Sequence, residues 1–418
     1  FVLLVALGCA LAQLRTSLQS PGQIYNRNFL GPQAFTAAVV DVPRPGDKVT
    51  RYVVEPQGWG GRVLLIVRPL PRFEFGDEIQ VDCPQIKEEE FSAYQAQGIR
   101  YECAFPNITL RMRAKPSLRS ALIGLRNAAS AEIQVALAEP YASLATGMLW
   151  GDDAGLAREL TTAFKRTGTT HLLAVSGYNV MVLTTILFTV LLSLGLWRSH
   201  ASIVVGLLVV AFVVFTGAEP AVVRAGIMGC VVVAARLLGR KADTVNLLLA
   251  TAVAMLAFEP SLVQNLGFQL SFAAMAGLTL LSPVLATKLN FLPVFFGLRE
   301  SVAQTLAATL MTTPIIFWWV GQVAVLSPLV NLAVGPVVVL VFSLGLPLVV
   351  LTSVNLLVLA QPVAWALTFI LWYVVTVVRA CASLPWSAAT SIWGGLVLVV
   401  VYLGFIRWLF PRVLKSQV

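Results

Sequence analysis

The chain has 418 residues, 58% of them hydrophobic and only 12% charged, with a net charge of +9. Soluble domains are about 45–50% apolar and about 25% charged, so a soluble enzyme of this length is excluded and most of the chain belongs in lipid. His171 and His200 are the only histidines, which rules out a histidine-rich metal centre, and neither a P-loop nor a G-x-S-x-G elbow occurs. The sequence offers no cofactor or metal motif.

The charges are unevenly spread. Residues 1–170 hold 18 Lys/Arg and 16 Asp/Glu, whereas residues 171–418 hold 11 and 4. A water-exposed part is therefore expected early and a bilayer-embedded part late. The basic balance fits anionic lipid or nucleic acid without choosing between them.

In chain order, 1–14 is apolar and shorter than the roughly 20 residues a span needs. It reads as part of an N-terminal transmembrane anchor, with a signal peptide as the alternative. Over 29–113 the texture changes to short runs between Pro and Gly. Strands are predicted at Phe35–Asp41, Arg51–Glu55, Arg62–Val67, Glu78–Cys83 and Ile99–Ala104, with a short helix at Glu88–Gln97. Five strands with one helix before the last outline a small closed barrel of the oligonucleotide/oligosaccharide-binding (OB) type.

Within that domain, Trp59, Arg62, Arg68, Arg72, Phe73 and Phe75 mix aromatic and basic groups. Single-stranded nucleic acid is held by such stacking and charge, although a barrel core with solvated arginines explains the same composition. Cys83 and Cys103 fall at strand ends and form a candidate disulfide, with two reduced core thiols as the alternative.

The 116–166 segment reads as an amphipathic helical connector. Leu118, Leu122, Leu125, Ala129, Ile133 and Leu137 recur every three or four residues. That stripe suits either a membrane surface or the bundle itself. From 171 to 410 a multi-span domain is predicted, with spans near 171–197, 201–217, 221–239, 245–258, 262–285, 301–320, 327–352, 360–383 and 390–410. Some of these are short or broken by Gly and Pro, as half-helices or re-entrant segments are.

Arg198, Arg236, Arg240, Lys241, Lys288 and Arg299 fall between spans on one side, and Glu219 and Glu259 on the other. The basic side is cytoplasmic, which puts 29–113 outside the cell membrane.

Four stretches carry polar groups into the apolar half. The first holds His171, Ser176, Gly177 and Asn179; the second Glu219 and Arg224; the third Gln269 and Ser271; the fourth Asn331 between Pro328 and Pro336. Polar residues at such depth face a cavity or another helix. Arg224 needs water or a partner, and Glu219 is the nearest carboxylate in sequence.

In this order the stretches resemble the ComEC family of bacterial DNA-uptake channels. HLLAVSGYN at 171–179 is similar to the family's HLLAxSGLH, and GAEPAVVRAGIMG at 217–229 to GxxPSxxRAxxM. NLGFQLSFAAMAGL at 265–278 is similar to VGFQLSFxAxxGL, and LSPLVNLAVGP at 326–336 to SPLxNLxxxP. FGDEIQV and FSAYQAQGI fit the family's OB domain.

The resemblance implies a polytopic α-helical protein of the bacterial cytoplasmic membrane with a small extracytoplasmic OB-like domain, importing single-stranded DNA in natural transformation. It implies contact with membrane lipid, an extracytoplasmic DNA receptor, a separate nuclease and a cytoplasmic ATP-driven motor. His171, Ser176, Asn179, Arg224, Gln269, Ser271 and Asn331 become candidates for the DNA path. Asn179 stands where the family has a second histidine, and the metallo-β-lactamase domain of many members is not in this sequence, so no nuclease activity is carried over. The competing expectation is a small-solute or lipid transporter with an outer binding domain, or a membrane scaffold of an uptake complex.

Overall fold

The computed structural model describes residues 31–384 and 388–389, apart from 42–43, 46–48, 60, 69–72, 89–98, 116, 154, 219, 238–242 and 294–296. The N-terminal anchor, the helix expected over Glu88–Gln97 (beyond Glu88), Arg72, Glu219 and the 390–410 span lie outside the described residues.

Among the described residues seven strands build the first domain: β1 Gly31–Val39, β2 Arg44–Pro45, β3 Thr50–Pro56, β4 Arg62–Val67, β5 Glu78–Glu88, β6 Ile99–Ala104 and β7 Asn107–Met112. The sheet runs β1-β3-β4-β6-β5 and closes where β5 pairs again with β1. Pairing is antiparallel except between β4 and β6. A closed five-strand barrel with that one parallel pair is the OB arrangement. Alternation drives it: Tyr52 and Val54 on β3 and Val63, Leu65 and Val67 on β4 point inward, while Arg51, Glu55 and Arg62 point out.

Two expectations change. β5 continues past Cys83 to Glu88, because β1 pairs it at Ile86 and β6 pairs it from Ile86 to Glu88. Pro84 is accommodated where the β1–β5 register shifts, since a residue without an N–H fits a bulge. The other change is β7, a strand that alternation does not predict. It continues the line of β6 along β5 after a break at Phe105–Pro106, where Phe105 takes a φ of 53°. Cys83 and Cys103 are bonded across β5 and β6, with Cα atoms 6.2 Å apart.

The barrel's exit is fastened. Asp77, 1% exposed, accepts hydrogen bonds from the backbone N–H of Glu74 and Ala114, each at 2.9 Å, and from Arg113 Nη1 at 3.3 Å. Just beyond, the Arg119 guanidinium lies 4.3 Å over the Phe75 ring.

The connector is three helices: α1 Leu118–Ala136, α2 Tyr141–Trp150 and α3 Arg158–Arg166. α1 buries the C-terminal part of the expected stripe, Ile133 and Leu137 with Ala129 packed beside them, but not its N-terminal part. Leu118 and Leu125 are 78% and 59% exposed, while Ile123, Arg126, Ser130 and Ile133 are buried. Hydrogen bonding decides this. Trp150 Nε1 donates to Ser130 Oγ, which donates to Asp152, each at 2.9 Å, so the polar side of α1 must face α2. Every residue of α2 from Ala142 to Trp150 is buried, making it the centre around which the bundle packs.

The remaining helices are α4 Gly177–Ser193, α5 Arg198–Phe215, α6 Pro220–Leu237, α7 Thr244–Phe258, α8 Leu266–Ala276, α9 Ser282–Lys288, α10 Leu298–Val320, α11 Ser327–Val334, α12 Val337–Ser353 and α13 Leu357–Ala382. A π-turn at Gly277–Leu281 joins α8 to α9 as one rod. Among the described residues four helical runs are long and apolar enough to cross a membrane: Thr170–Ser193, α5, Leu266–Lys288 and α13. A fifth is counted if α11 and α12, bent by 42°, form one broken span. The expected spans near 221–239 and 245–258 are helical, as Pro220–Leu237 and Thr244–Phe258, and the second is shorter than the roughly 20 residues a full crossing needs. Trp365, Phe369 and Trp372 form an exposed apolar face on α13, whose other face is packed through Leu367, Leu371 and Val374. Apolar groups outside and packed groups inside are what a multi-pass membrane protein presents to lipid.

Candidate functional site

The first polar stretch folds as a loop between α3 and α4. The hydroxyls of Thr167 and Thr169 are bonded at 2.8 Å and buried. Gly168 has φ +70°, and a Cβ there would stand within 2.8 Å of Ala324 and Ser327. Only glycine meets both demands. His171, in a 3₁₀ turn at Thr170–Leu172, is exposed with Nδ1 3.2 Å from the Gly168 carbonyl.

Ser176 caps α4. Its hydroxyl accepts from the Asn179 N–H at 3.4 Å and donates to Asn179 Oδ1 at 3.1 Å. Asn179 Nδ2 donates to the Met148 carbonyl at 3.0 Å, tying α4 to the central helix. Asn179 is therefore satisfied within the protein.

Gly177 opens α4 directly against Arg224. A Cβ on it would lie 2.7 Å from Arg224 Nη2. Arg224 is 7% exposed; its Nε donates to Ser271 Oγ at 2.8 Å, and Nη1 reaches the Met228 sulfur at 3.8 Å, a weak acceptor. The guanidinium carbon is 5.7 Å from the Phe272 ring centre. Among the described residues no carboxylate lies within 4 Å of it. The carboxylate expected from sequence, Glu219, is outside the described residues.

Gln269, just short of Ser271 on α8, is engaged at both ends. Its Nε2 donates to the Val263 carbonyl at 2.7 Å, and its Oε1 accepts from Trp319 Nε1 at 3.0 Å, which joins α8 to α10. Asn331 Nδ2 donates to Ser327 Oγ at 3.1 Å, while its Oδ1 is buried without a hydrogen-bond partner. The first three polar stretches thus meet around Arg224, and the fourth touches the first through Gly168 and Ser327. Among the described residues no group of three His, Cys, Asp or Glu gathers at one point.

The barrel candidates scatter more. Phe73 is 4% exposed and packed against Tyr52, so it presents no face to a base. Trp59 is half-buried, with Phe35 at 4.8 Å and Tyr101 at 5.8 Å between ring centres. Phe75 is covered by Arg119. Arg62 and Arg68 are exposed. Arg51, exposed on the outward face of β3, joins them without having been a candidate; the alternation of inward Tyr52 and Val54 is the signal that could have found it.

Residues 148–415 match a family described as Competence protein. The chain belongs to the competence protein family. All four polar stretches lie inside the matched region, and the barrel lies before it. ComE operon protein 3 of Bacillus subtilis (strain 168) is 33% identical over 186 residues, 44% of this chain and 23% of that relative. The chain therefore matches less than a quarter of that relative's length. No solved structure matches. In this member of the competence family, Gly177, Arg224 and Ser271 are separated in sequence and brought together only by the fold.

Proposed function

We propose that this chain is a cytoplasmic-membrane channel for single-stranded DNA in natural transformation, a transporter and not an enzyme, with the OB-like barrel on the extracytoplasmic side. A DNA receptor outside, a separate nuclease and a cytoplasmic ATP-driven motor complete the process. Family membership supports a role in DNA uptake, and the convergence on Arg224 carries the finer reading. A buried cation with no carboxylate neighbour among the described residues is costly in a membrane bundle, and a phosphate backbone is the substrate that would offset that cost.

The disulfide supports the exported side, since such bonds persist in oxidising compartments. The basic loops at Arg198, Lys288 and Arg299 support the same orientation. In that orientation α4 and α6 both begin at the outer end of the bundle, so Gly177 and Arg224 share one depth near the outer mouth. Asn179 and Gln269, satisfied by Met148 and Trp319, hold helices together; the path runs past Arg224 and Ser271.

The test is uptake of labelled DNA, separated into external and internal fractions, in a strain lacking this chain. Internal DNA should fall to background and return on complementation, while DNA bound outside persists. Arg224→Ala should lower internal DNA about tenfold or more with membrane abundance unchanged, that being roughly the loss of one charge-assisted phosphate contact. Normal import without the chain would favour the transporter of small solutes or the scaffold.

A further inference from the structure

The electrostatics around Arg224 are one-sided. Gly177 is the first residue of the 17-residue helix α4, and Arg224 is the fifth residue of α6. A helix start carries about half a positive charge, and here the start of α4 and a guanidinium occupy one place. The N–H groups of Gly177 and Tyr178 precede the first intrahelical bond and have no carbonyl in α4 to reach; the Asn179 N–H is already taken by Ser176. Arg224 Nη2 is aimed at this helix start, close enough that a Cβ on Gly177 would collide with it. Ser271 holds the guanidinium by Nε, and the Nη groups meet only the weakly accepting Met228 sulfur at 3.8 Å. Like charges brought together this closely, around a side chain only 7% exposed, make a site with no counter-ion among the described residues.

We infer that the start of α4, the Nη groups of Arg224 and the Ser271 prop form an anion site for a single phosphate group, met in function as one phosphodiester of the passing strand. Gly177 and Ser271 are positioning residues: the first leaves room for the guanidinium, the second orients it. The site reads no base, because its donors are backbone N–H and a guanidinium. The identity of the physiological ligand rests on the channel reading above; the anion site itself does not.

The purified full-length chain in a phosphate-free detergent is melted with and without inorganic phosphate at constant ionic strength. Wild type should gain roughly 2 °C or more at saturating phosphate, and Arg224→Gln should gain none. Gly177→Ala should lose the gain by displacing the guanidinium, and Ser271→Ala should require several-fold more phosphate. Equal gains in wild type and Arg224→Gln, or none in either, would overturn the site. Displacement of phosphate by a short oligothymidylate is expected; displacement only by a short-chain phosphatidylglycerol would overturn the assignment to a nucleic-acid strand. Import that depends on the chain but is untouched in Arg224→Gln, together with an unaltered phosphate response, would remove the site and leave the channel. A phosphate response lost in Arg224→Gln, in a strain that imports DNA without the chain, would remove the channel and leave the site.

Discussion

Asn179 shows how one side chain can be read in two ways from its surroundings. In sequence it stands at a position where the family carries histidine, and a role in conduction is the natural expectation. In the folded chain its amide spans Ser176 and the Met148 carbonyl, so its work is to fix the start of α4 on the central helix. Asn179→Ala would strand that buried carbonyl and cost about 1–3 kcal/mol, read as a lower melting temperature with no change in salt dependence of DNA uptake. Sequence does not tell these roles apart, because Met148 is 31 residues away and nothing in either stretch announces the contact. Arg224 is legible as a buried cation needing a partner. That Ser271 is the partner is not, since it lies 47 residues on, with the whole of α7 between.

Elements are most legible where the pattern is local. The strands Arg62–Val67 and Ile99–Ala104 have the bounds that alternation assigns them. The connector keeps its expected face only in part: Ile133 and Leu137 are buried, whereas the Ser130–Trp150–Asp152 bonds bring a polar strip inward and leave Leu118 and Leu125 exposed. β7 escapes a reading by alternation because its residues are mostly exposed and show no period-two burial; only its pairing with β5 makes it a strand. The rod from Leu266 to Lys288 hinges on Gly277, where a Cβ would come within 2.5 Å of the Ala307 carbonyl on α10. Gly277→Ala should therefore push α8 and α10 apart and destabilise the bundle by about 1–3 kcal/mol. The measurement is melting of the full chain, with Gly229→Ala, whose Cβ meets nothing within 4 Å, as the control.

Across the whole molecule, two bodies of different character share one chain: a barrel closed by hydrogen bonds between strands and a bundle closed by helix packing. The barrel's bridge joins Cys83 to Cys103 across the seam between β5 and β6. Replacing both cysteines by Ala should cost about 2–4 kcal/mol, measured as faster proteolysis of the barrel with the bundle still inserted. Composition and charge alone make this division visible, because hydrocarbon and water select for different residues. How the bodies join is hidden from them, since it depends on Asp77 catching a backbone N–H 37 residues later. That catch, with Arg119 resting on Phe75, leaves only a few residues between the last strand and α1 with freedom to pivot. The barrel is thus buttoned to the strand of chain that leaves it, at Asp77 with Ala114 and at Phe75 with Arg119, and not hung on that strand like a bead on a string.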